Sequence, residues 1–258
     1  MVKNIIRKIL GNNLYINSFG YLSSIYQATF LNYKEPSIHF IKYFISKGDT
    51  IFDIGANVGR FTAYAAPLVG SEGKIYSFEP LAFPRKVLRH MRAMKRLRQV
   101  NIVDLALSDI KKNENITIPL KNGWKPKTAL AFLGTGNLKG SIQEQVKIDT
   151  IDNFCVSKNI NRLEFIKCDV EGHELKVFLG GARTLVKFKP TIYCEIDQSF
   201  CTYNKIDFNT VFEMLKEIGY LCYLPDNDRL TMFKDYTKAK KKDEYFFIHA
   251  SQKINHVL

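Results

Sequence analysis

The sequence predicts an α/β fold: a Rossmann-like, doubly wound and mostly parallel sheet of seven strands. Short runs rich in Ile, Val, Phe and Tyr alternate with segments of helical period, which is the pattern of a parallel sheet. The chain has 258 residues, 46% of them hydrophobic, so it can bury one large core. We therefore expect one Rossmann-like domain with an N-terminal helical extension and a small β insert.

The N-terminal helical extension is expected to cover residues 1–47, and the Rossmann-like domain residues 48–258. Within the extension, Pro36 is expected to start a helix, because apolar residues follow it at helical spacing. These residues are Ile38, Ile41, Phe44 and Ile45. The segment KGDT then ends this helix before the first strand.

Seven strand candidates follow in the domain. In chain order they are TIFDIG, KIYSFEP, VNIVDLAL, LEFIKCD, PTIYCEI, YLCYL and EYFFIHA. A polar loop rather than a helix separates the last two, so we expect the last strand to enter the sheet antiparallel. Residues 111–146 interrupt the pattern and carry NITIPL and SIQEQVKI, which predict an accessory hairpin.

The charge and cysteine content indicate the partners and the location. With 38 Lys and Arg against 25 Asp and Glu, the net charge of +13 favours an anionic partner: nucleic acid, an acidic glycan or an anionic membrane. No apolar run reaches the roughly 18 residues of a membrane span, and none resembles a signal peptide, so a cytoplasmic location is expected. Five cysteines without a C-x-x-C pair fit buried thiols in a reducing compartment.

Three basic segments leave a choice open. Residues 85–98 predict an amphipathic helix whose Lys and Arg residues line the outer face, either solvated or in contact with phosphates or acidic sugars. Its apolar stripe, expected to face the sheet, is Val87, Leu88, Met91, Met94 and Leu97. The loop KAKKK at 238–242 has the same ambiguity. Residues 1–10 either dock on the domain or lie at an anionic membrane surface, which would make the protein peripheral at the membrane.

The stretch DTIFDIGANVGRF, residues 49–61, predicts the ligand site. In an open parallel sheet, ligands bind beyond the carboxyl ends of the strands, and this strand ends in Asp53, Gly55 and Gly59. The glycines permit a tight turn and a close approach to a ligand, and Asp53 can accept hydrogen bonds from an ammonium group. Glu79 ends the second strand, where a carboxylate suits the two hydroxyls of a ribose. The alternative is a structural turn without a ligand.

The glycine spacing distinguishes two cofactors. A dinucleotide site has the pattern G-x-G-x-x-G, which places a pyrophosphate at a helix N-terminus, but here Ala56 and Asn57 follow Gly55 and the middle glycine is missing. S-adenosylmethionine carries an ammonium and a carboxylate instead of phosphates. The pattern therefore favours S-adenosylmethionine over NAD.

The motifs DIGANVG, FEP, ALSD, IDTID and FIKCDVEGHELKVFLGGA resemble, in order and spacing, the FkbM family of S-adenosylmethionine-dependent methyltransferases. The resemblance covers residues 48–195 and implies a class I methyltransferase fold that methylates hydroxyl groups, often on sugars or polyketide-type natural products. The residues that it places around the methionine part of the cofactor are Asp53, Gly55, Ala56, Asn57 and Gly59. It implies that Glu79 holds the ribose, and that the turn Leu105–Ala106–Leu107–Ser108 lies beside the adenine.

Methyl transfer to oxygen needs a group that removes the acceptor proton, so a base is expected near the methyl group. Asp169 ends the fourth strand and Glu195 the fifth, which makes both candidate bases; alternatively, they bind magnesium or manganese. Glu171 and His173 follow Asp169 and are further candidates. An acid in the first turn of the next helix, such as Glu171 or Glu174, is equally explained by the helix dipole, and a lone histidine there by hydrogen bonding.

The sequence thus predicts an S-adenosylmethionine-dependent O-methyltransferase that acts on a saccharide, a glycoconjugate or a natural product. An RNA ribose 2′-O-methyltransferase is an alternative, although no lysine pair can be placed beside Asp169 for a Lys-Asp-Lys-Glu constellation. A nucleobase amino-methyltransferase is disfavoured, because CDVEG stands where an NPPY-type tetrapeptide is expected. A non-catalytic S-adenosylmethionine-binding module is the third hypothesis. The acceptor, the metal dependence and the oligomeric state stay open.

Overall fold

The structure is a computed structural model, and it describes residues 12–30, 37–121, 125–126, 132–133, 141–203, 207–236, 239 and 242–252. The strands of these residues form two sheets. The larger sheet has eight strands, β1 (Thr50–Ile54), β2 (Lys74–Phe78), β3 (Val100–Val103), β9 (Phe165–Cys168), β10 (Thr191–Asp197), β11 (Tyr220–Asp226), β12 (Arg229–Met232) and β13 (Lys242–His249). The smaller has five, β4 (Ala106–Leu107), β5 (Lys112–Lys121), β6 (Lys125–Pro126), β7 (Phe132–Leu133) and β8 (Ser141–Asp149).

Nine helices connect and cover these strands within the described residues. They are α1 (Asn12–Phe30), α2 (Ile38–Ile41), α3 (Arg60–Val69), α4 (Ala82–Met94), α5 (Ile151–Ser157), α6 (Glu174–Leu179), α7 (Ala182–Phe188), α8 (Gln198–Tyr203) and α9 (Asn209–Glu217). Alternate residues of β1 point into two cores: Ile51 packs with α2 and α3, and Phe52 and Ile54 pack with α5, α6 and α9. Helices therefore cover both faces of the sheet, as the doubly wound prediction requires.

The predicted fold class is confirmed, but the sheet is larger than the seven strands expected. Its order is β12-β11-β13-β10-β9-β1-β2-β3, and β13 is antiparallel to both of its neighbours, as predicted. The eighth strand, β12, pairs with β11 as a hairpin inside the loop that the sequence analysis interpreted as polar and irregular. Of its two apolar side chains only Leu230 is buried, while Met232 is exposed like Arg229 and Thr231, so the strand has little apolar pattern.

The accessory hairpin is confirmed as the antiparallel pair of β5 and β8, which runs three residues beyond the predicted insert. The predicted third core strand, VNIVDLAL, is two separate strands. It leaves the main sheet after Val103, and β4 then pairs in parallel with β8 of the insert. Leu81 and Ala106 pack against the apolar face of the hairpin in a small core of their own.

The N-terminal helix α1 packs on α4, where the Tyr21 hydroxyl lies 2.6 Å from Nδ1 of His90 and Nζ of Lys86 lies over the Tyr21 ring. The helix predicted from Pro36 is only one turn long, Ile38–Ile41, because the chain continues in turns through Phe44. Residues 1–10, Pro36 and most of the loop at 238–242 lie outside the described residues.

Helix α4 is amphipathic as predicted, with two corrections. Val87, Leu88 and Met91 are buried, but Met94 is 53% exposed because the helix ends there. Arg85, predicted on the outer face, is 8% exposed. Its guanidinium donates to the carbonyls of Glu79 and Pro80 and pairs with Asp104 at 2.7 Å, so it orders the turn that follows β2.

The five cysteines are buried free thiols, as expected from their spacing. Burial raises the pKa of the Cys155 thiol to about 11, which leaves this thiol protonated at neutral pH. No helix among the described ranges combines the length and hydropathy that a membrane span needs.

Candidate active site

The strand register brings the predicted site residues to one edge of the sheet. Ile54 pairs with Phe78 on one side and with Cys168 on the other, and Cys168 pairs with Cys194 of β10. The residues that follow these positions, among them Gly55, Glu79 and Asp169, therefore leave the sheet side by side.

The turn between β1 and α3 requires glycine at two positions. Gly55 has φ +74°, and a Cβ atom there would lie 1.9 Å from the backbone oxygen of Asp169. Gly59 has φ +87°, and a Cβ atom there would lie 2.2 Å from Leu88 of α4. Only glycine tolerates both the left-handed backbone and the close approach. The turn is thus pressed between the end of β9 and the apolar stripe of α4, with Ala56 buried beside it.

The Glu79 carboxylate lies directly against this turn. Its Oε2 accepts the amide of Asn57 at 2.8 Å, and its Oε1 accepts the amide of Leu81 at 2.8 Å. The side chain is 5% exposed, and burial raises the pKa of Glu79 to about 7 in spite of these two hydrogen bonds. Glu79 therefore joins the turn after β1 to the turn after β2, and its protonation changes near neutral pH.

Asp53 is more enclosed than the sequence analysis expected. It is 0% exposed, its Oδ2 accepts the hydroxyl of Thr62, and that hydroxyl also contacts Ser77 at 2.8 Å. Its Oδ1 has no hydrogen-bond partner among the described residues and lies 3.7 Å from Nζ of Lys167. Burial raises the pKa of Asp53, while Lys167 and the Thr62 hydroxyl lower it. With no exposed surface, Asp53 faces the ammonium of Lys167 and the hydroxyl of Thr62, and it orders the turn from inside the protein.

Asp169 is more accessible than Asp53, Glu79 and Glu174, with its side chain 34% exposed. Its backbone amide donates to the carbonyl of Ile54, and its Oδ2 lies 3.3 Å from Nζ of Lys167. The ammonium of Lys167 therefore already lies beside the Asp169 carboxylate, which a divalent metal would need as a ligand. Within the described residues no group of three Asp, Glu, His or Cys side chains is placed to hold a metal. In the part of the chain that the structure describes, Asp169 thus offers a single carboxylate that already pairs with an ammonium, which is a poor ligand set for magnesium or manganese.

Glu195 was predicted to end the fifth strand, and this prediction is wrong. Strand β10 continues to Asp197, and Glu195 pairs with Glu244 of β13 within the sheet. Glu195 nevertheless follows the last residue that pairs with β9, so it leaves that pairing next to Asp169.

The loop after β9 also differs from its prediction. Helix α6 begins at Glu174, so Glu171 precedes the helix instead of lying in its first turn, and Glu171 is half-buried with φ +53°. Glu174 is 1% exposed, and its Oε1 accepts the amides of Val170 and Gly172. Burial raises the pKa of Glu174 to about 7. Glu174 thus has a structural role: it fixes the loop that carries Asp169.

Replacing Glu174 should destabilise the protein in proportion to the acceptor that is lost. Glu174→Ala removes the acceptor that binds the buried amide of Gly172 and the part-buried amide of Val170, and we expect the free energy of unfolding to fall by about 2–4 kcal/mol. Glu174→Gln keeps an acceptor oxygen in place and should cost about 1 kcal/mol or less. Denaturant unfolding of both variants measures the difference, and equal stability of the two would show that these hydrogen bonds do not hold the loop.

His173 lies with the predicted adenine segment. Its Nε2 is 2.9 Å from the hydroxyl of Ser108, and both side chains are buried. Burial lowers the pKa of His173 to about 4, so the imidazole is neutral and a weak base at pH 7. Ala106 and Leu107 are buried as β4, and a Cβ atom at Gly180 would lie 2.0 Å from the Ser108 carbonyl. The structure thus joins His173 to Ser108 at one end of the site.

Sequence reasoning missed two basic residues of the site, Lys167 and Arg85. Lys167 is 5% exposed in the middle of a central strand, and Arg85 is buried against the turn after Glu79. A lysine in the apolar run FIKC was the available signal, because a charged residue in a buried strand must have a partner. Arg85 carried no such signal, since it stands in a segment dense with surface cations.

The geometry fits S-adenosylmethionine better than a dinucleotide. The turn at Gly55 packs directly against the backbone of Asp169 with no side chain between them, and Glu79 places a buried carboxylate at the level of that turn. The amide of Asn57, which a pyrophosphate would need, is already bound by Glu79. When bound, the cofactor would have Glu79 and the turn from Gly55 to Gly59 as its holding groups.

Comparisons with known proteins identify the family of the chain. The family model described as the methyltransferase FkbM domain matches residues 53–222. The 2-O-methyltransferase NoeI of Sinorhizobium fredii is 24% identical over 188 residues, which cover 68% of this chain and 74% of NoeI.

Solved structures are similar at lower identity. A crystal structure of methyltransferase FkbM from Methylobacillus flagellatus KT matches with a TM-score of 0.49 and 11% identity, over 93% of this chain and 60% of that chain. A SAM-dependent O-methyltransferase from Thermotoga maritima matches with a TM-score of 0.41 and 13% identity, over 86% and 69% of the two chains. The chain thus spans 60% of the length of the Methylobacillus protein.

The family match runs from Asp53, at the end of β1, to Cys222 in β11. It contains the turn after β1, the turn after β2 and the loop after β9, which together form the edge described above. More than half of the chain is covered, and the chain therefore belongs to the FkbM methyltransferase family.

Proposed function

We propose that the protein is an S-adenosylmethionine-dependent O-methyltransferase whose acceptor is a hydroxyl group on a saccharide or glycoconjugate. The observation that carries the proposal is the partly exposed Asp169 carboxylate, held at the end of β9 against the Gly55 turn. The name of the relative NoeI, a 2-O-methyltransferase, supports oxygen as the acceptor atom. A hydroxyl on another natural product would use the same chemistry.

The cofactor supplies an electrophilic methyl group on a sulfonium, and the chain supplies position and a proton acceptor. Glu79 would accept the ribose hydroxyls, and the turn from Gly55 to Gly59 would let the backbone approach the methionine part. Asp169 would accept the proton of the acceptor hydroxyl as the methyl group transfers, because a hydroxyl that keeps its proton is a weaker nucleophile than the deprotonated oxygen. Asp53 holds the turn after β1 through Thr62, and Glu174 holds the loop after β9 through the amide of Gly172.

The basic outer surface supports an acceptor that is itself anionic, or one that is presented at an anionic surface such as a membrane. Helix α4 and the turn after it present exposed cations, and α4 itself carries no acidic residue. These are Lys86, Arg89, Arg92, Lys95, Arg96 and Arg98. Such a surface raises the encounter rate with acidic glycans, and a contact of residues 1–10 with anionic lipid would act in the same direction.

A labelled methyl-transfer assay tests this function. The protein is incubated with S-adenosylmethionine carrying a labelled methyl group and with a matched panel of neutral oligosaccharides, acidic oligosaccharides and RNA. We expect label in a saccharide, with faster transfer to acidic members at low salt. Label in RNA alone would favour the ribose 2′-O-methyltransferase alternative, and tight cofactor binding without transfer to any acceptor would favour a binding module.

The affinity for S-adenosylmethionine should depend on the ionisation of Glu79. Glu79 accepts both ribose hydroxyls only when it is ionised, because a protonated carboxyl keeps a single good acceptor oxygen, and its pKa in the free protein is about 7. Affinity should therefore rise about tenfold between pH 6 and pH 8, as the ionised fraction rises. Glu79→Gln should bind more weakly and lose this rise, while any titration of the cofactor itself is common to both proteins. Calorimetry measures both; identical pH profiles would refute the role of Glu79.

A further inference from the structure

Lys167 stands in the middle of the site without a part in the mechanism described so far. It lies on β9 between Ile166 and Cys168, which are both fully buried, and its own side chain is 6% exposed. A buried ammonium costs several kcal/mol unless it is paired and hydrogen-bonded. The cost implies that the groups around Lys167 matter to the fold, to the chemistry, or to both.

The ammonium joins the ends of two strands. Its Nζ lies 3.0 Å from the carbonyl oxygen of Gly55 and 3.5 Å from that of Ile54, at the end of β1. The same atom lies 3.3 Å from Oδ2 of Asp169 and 3.7 Å from Oδ1 of Asp53. One side chain thus contacts the glycine turn, the enclosed acid below it and the exposed acid beside it.

The charges of this cluster do not cancel when both acids are ionised. One ammonium faces two carboxylates, so one negative charge remains. Asp53 is fully enclosed, whereas the Asp169 side chain is 34% exposed toward the edge of the sheet. Water can stabilise the remaining charge only at Asp169, which is the position where a proton acceptor is needed.

We propose that Lys167 is the positioning residue of the reaction: it fixes Asp169 relative to the Gly55 turn, and hence relative to the methyl group of the cofactor. The inference rests on the proposed function, because it gives Asp169 its orientation for accepting the proton. Lys167 itself is too enclosed to reach an acceptor, so it acts through Asp169. Because the ammonium of Lys167 contacts both the Gly55 carbonyl and the Asp169 carboxylate, it sets the distance between the ends of β1 and β9. The Asp169 side chain could rotate if this contact were absent.

The test must avoid leaving a buried carboxylate without its cation. Lys167→Met alone would leave Asp53 unpaired, and the protein could fail to fold for that reason. The reference is therefore Asp53→Asn, which removes the buried charge and keeps an oxygen for Thr62. Lys167→Met is then added to this reference, and Lys167→Arg in the same background restores the cation on a different side chain.

We expect the Met variant to have a kcat at least about tenfold below the Asp53→Asn reference, with the acceptor KM within about threefold, because a misplaced base slows the chemical step. The Arg variant should recover part of kcat. Equal kcat in the reference and the Met variant would overturn the proposal, as would a loss confined to KM.

Two further readings separate this inference from the reaction itself. Wild-type turnover is measured in parallel. A wild type that transfers no methyl group refutes the proposed reaction and not the contact by which Lys167 holds Asp169. Hydrogen exchange of residues 169–172 needs no acceptor: the amides of this loop should exchange faster in the Met variant than in the reference. Unchanged exchange would show that Lys167 does not hold the loop, whatever the reaction is.

Discussion

Asp169→Asn should lower turnover by about 10²- to 10⁴-fold while S-adenosylmethionine affinity changes little. Asparagine keeps the shape of the side chain but cannot accept a proton. The cofactor is held mainly by the glycine turn and Glu79, so its dissociation constant should stay close to the wild-type value. Single-turnover kinetics on an acceptor, with calorimetry for the cofactor, measures the two effects separately.

Glu195→Gln and His173→Ala are the matched comparisons for this result. His173, with a pKa of about 4 and a hydrogen bond to Ser108, should contribute little as a base. Glu195 lies within the strand β10, one position beyond the pairing with β9. If all three variants keep near-normal turnover, the base has been placed wrongly. If EDTA abolishes turnover and magnesium restores it, a metal takes part in spite of the ammonium beside Asp169.

Gly55→Ala should disable both the turn and the catalytic edge. The new Cβ atom would lie 1.9 Å from the backbone oxygen of Asp169, which cannot rotate away as a side chain can. The left-handed backbone adds about 1–2 kcal/mol, and overpacking a further 1–3 kcal/mol. Because relief requires β9 to move, turnover should fall by about a hundredfold even in the folded fraction.

Gly48→Ala is the control for backbone strain. Gly48 has φ +87°, but a Cβ atom there would meet nothing within 4 Å. Gly48→Ala should therefore lower the free energy of unfolding by only about 1–2 kcal/mol, the cost of the left-handed backbone. Turnover per folded molecule should stay unchanged. Denaturant unfolding and kcat of both variants measure the contrast. Equal losses in the two would mean that the contact between Gly55 and Asp169 has no consequence of its own.

The hydrophobic pattern predicted the order of elements because each central strand is buried on both faces and reads as an apolar run. It also predicted the antiparallel last strand, since a polar loop rather than a helix separates that strand from the one before it. It missed β12, where only Leu230 is buried, and it joined β3 to β4 across Asp104 and Leu105. Such exposed edge strands are set by pairing, which leaves little trace in composition.

The candidate site was predictable where glycine and acid positions coincide with strand ends, as at Gly55, Glu79 and Asp169. The directions of side chains were not. Asp53 was predicted to face the ligand and is enclosed, because Thr62 of the next helix and Lys167 of the distant strand β9 both reach it. Lys167 itself was read as part of an apolar strand. Contacts between strand ends depend on register, and register follows from the folded sheet rather than from any single motif.

The position of the transferred methyl group tests the central claim most directly. The protein is given S-adenosylmethionine with a trideuterated methyl group and the most reactive acidic oligosaccharide, and the product is analysed by mass spectrometry and NMR. We predict a trideuteromethyl group on a sugar oxygen, formed by the wild type and strongly reduced in Asp169→Asn. A label on nitrogen or carbon, or equal product from the two proteins, would contradict the proposal that Asp169 serves methyl transfer to a hydroxyl group.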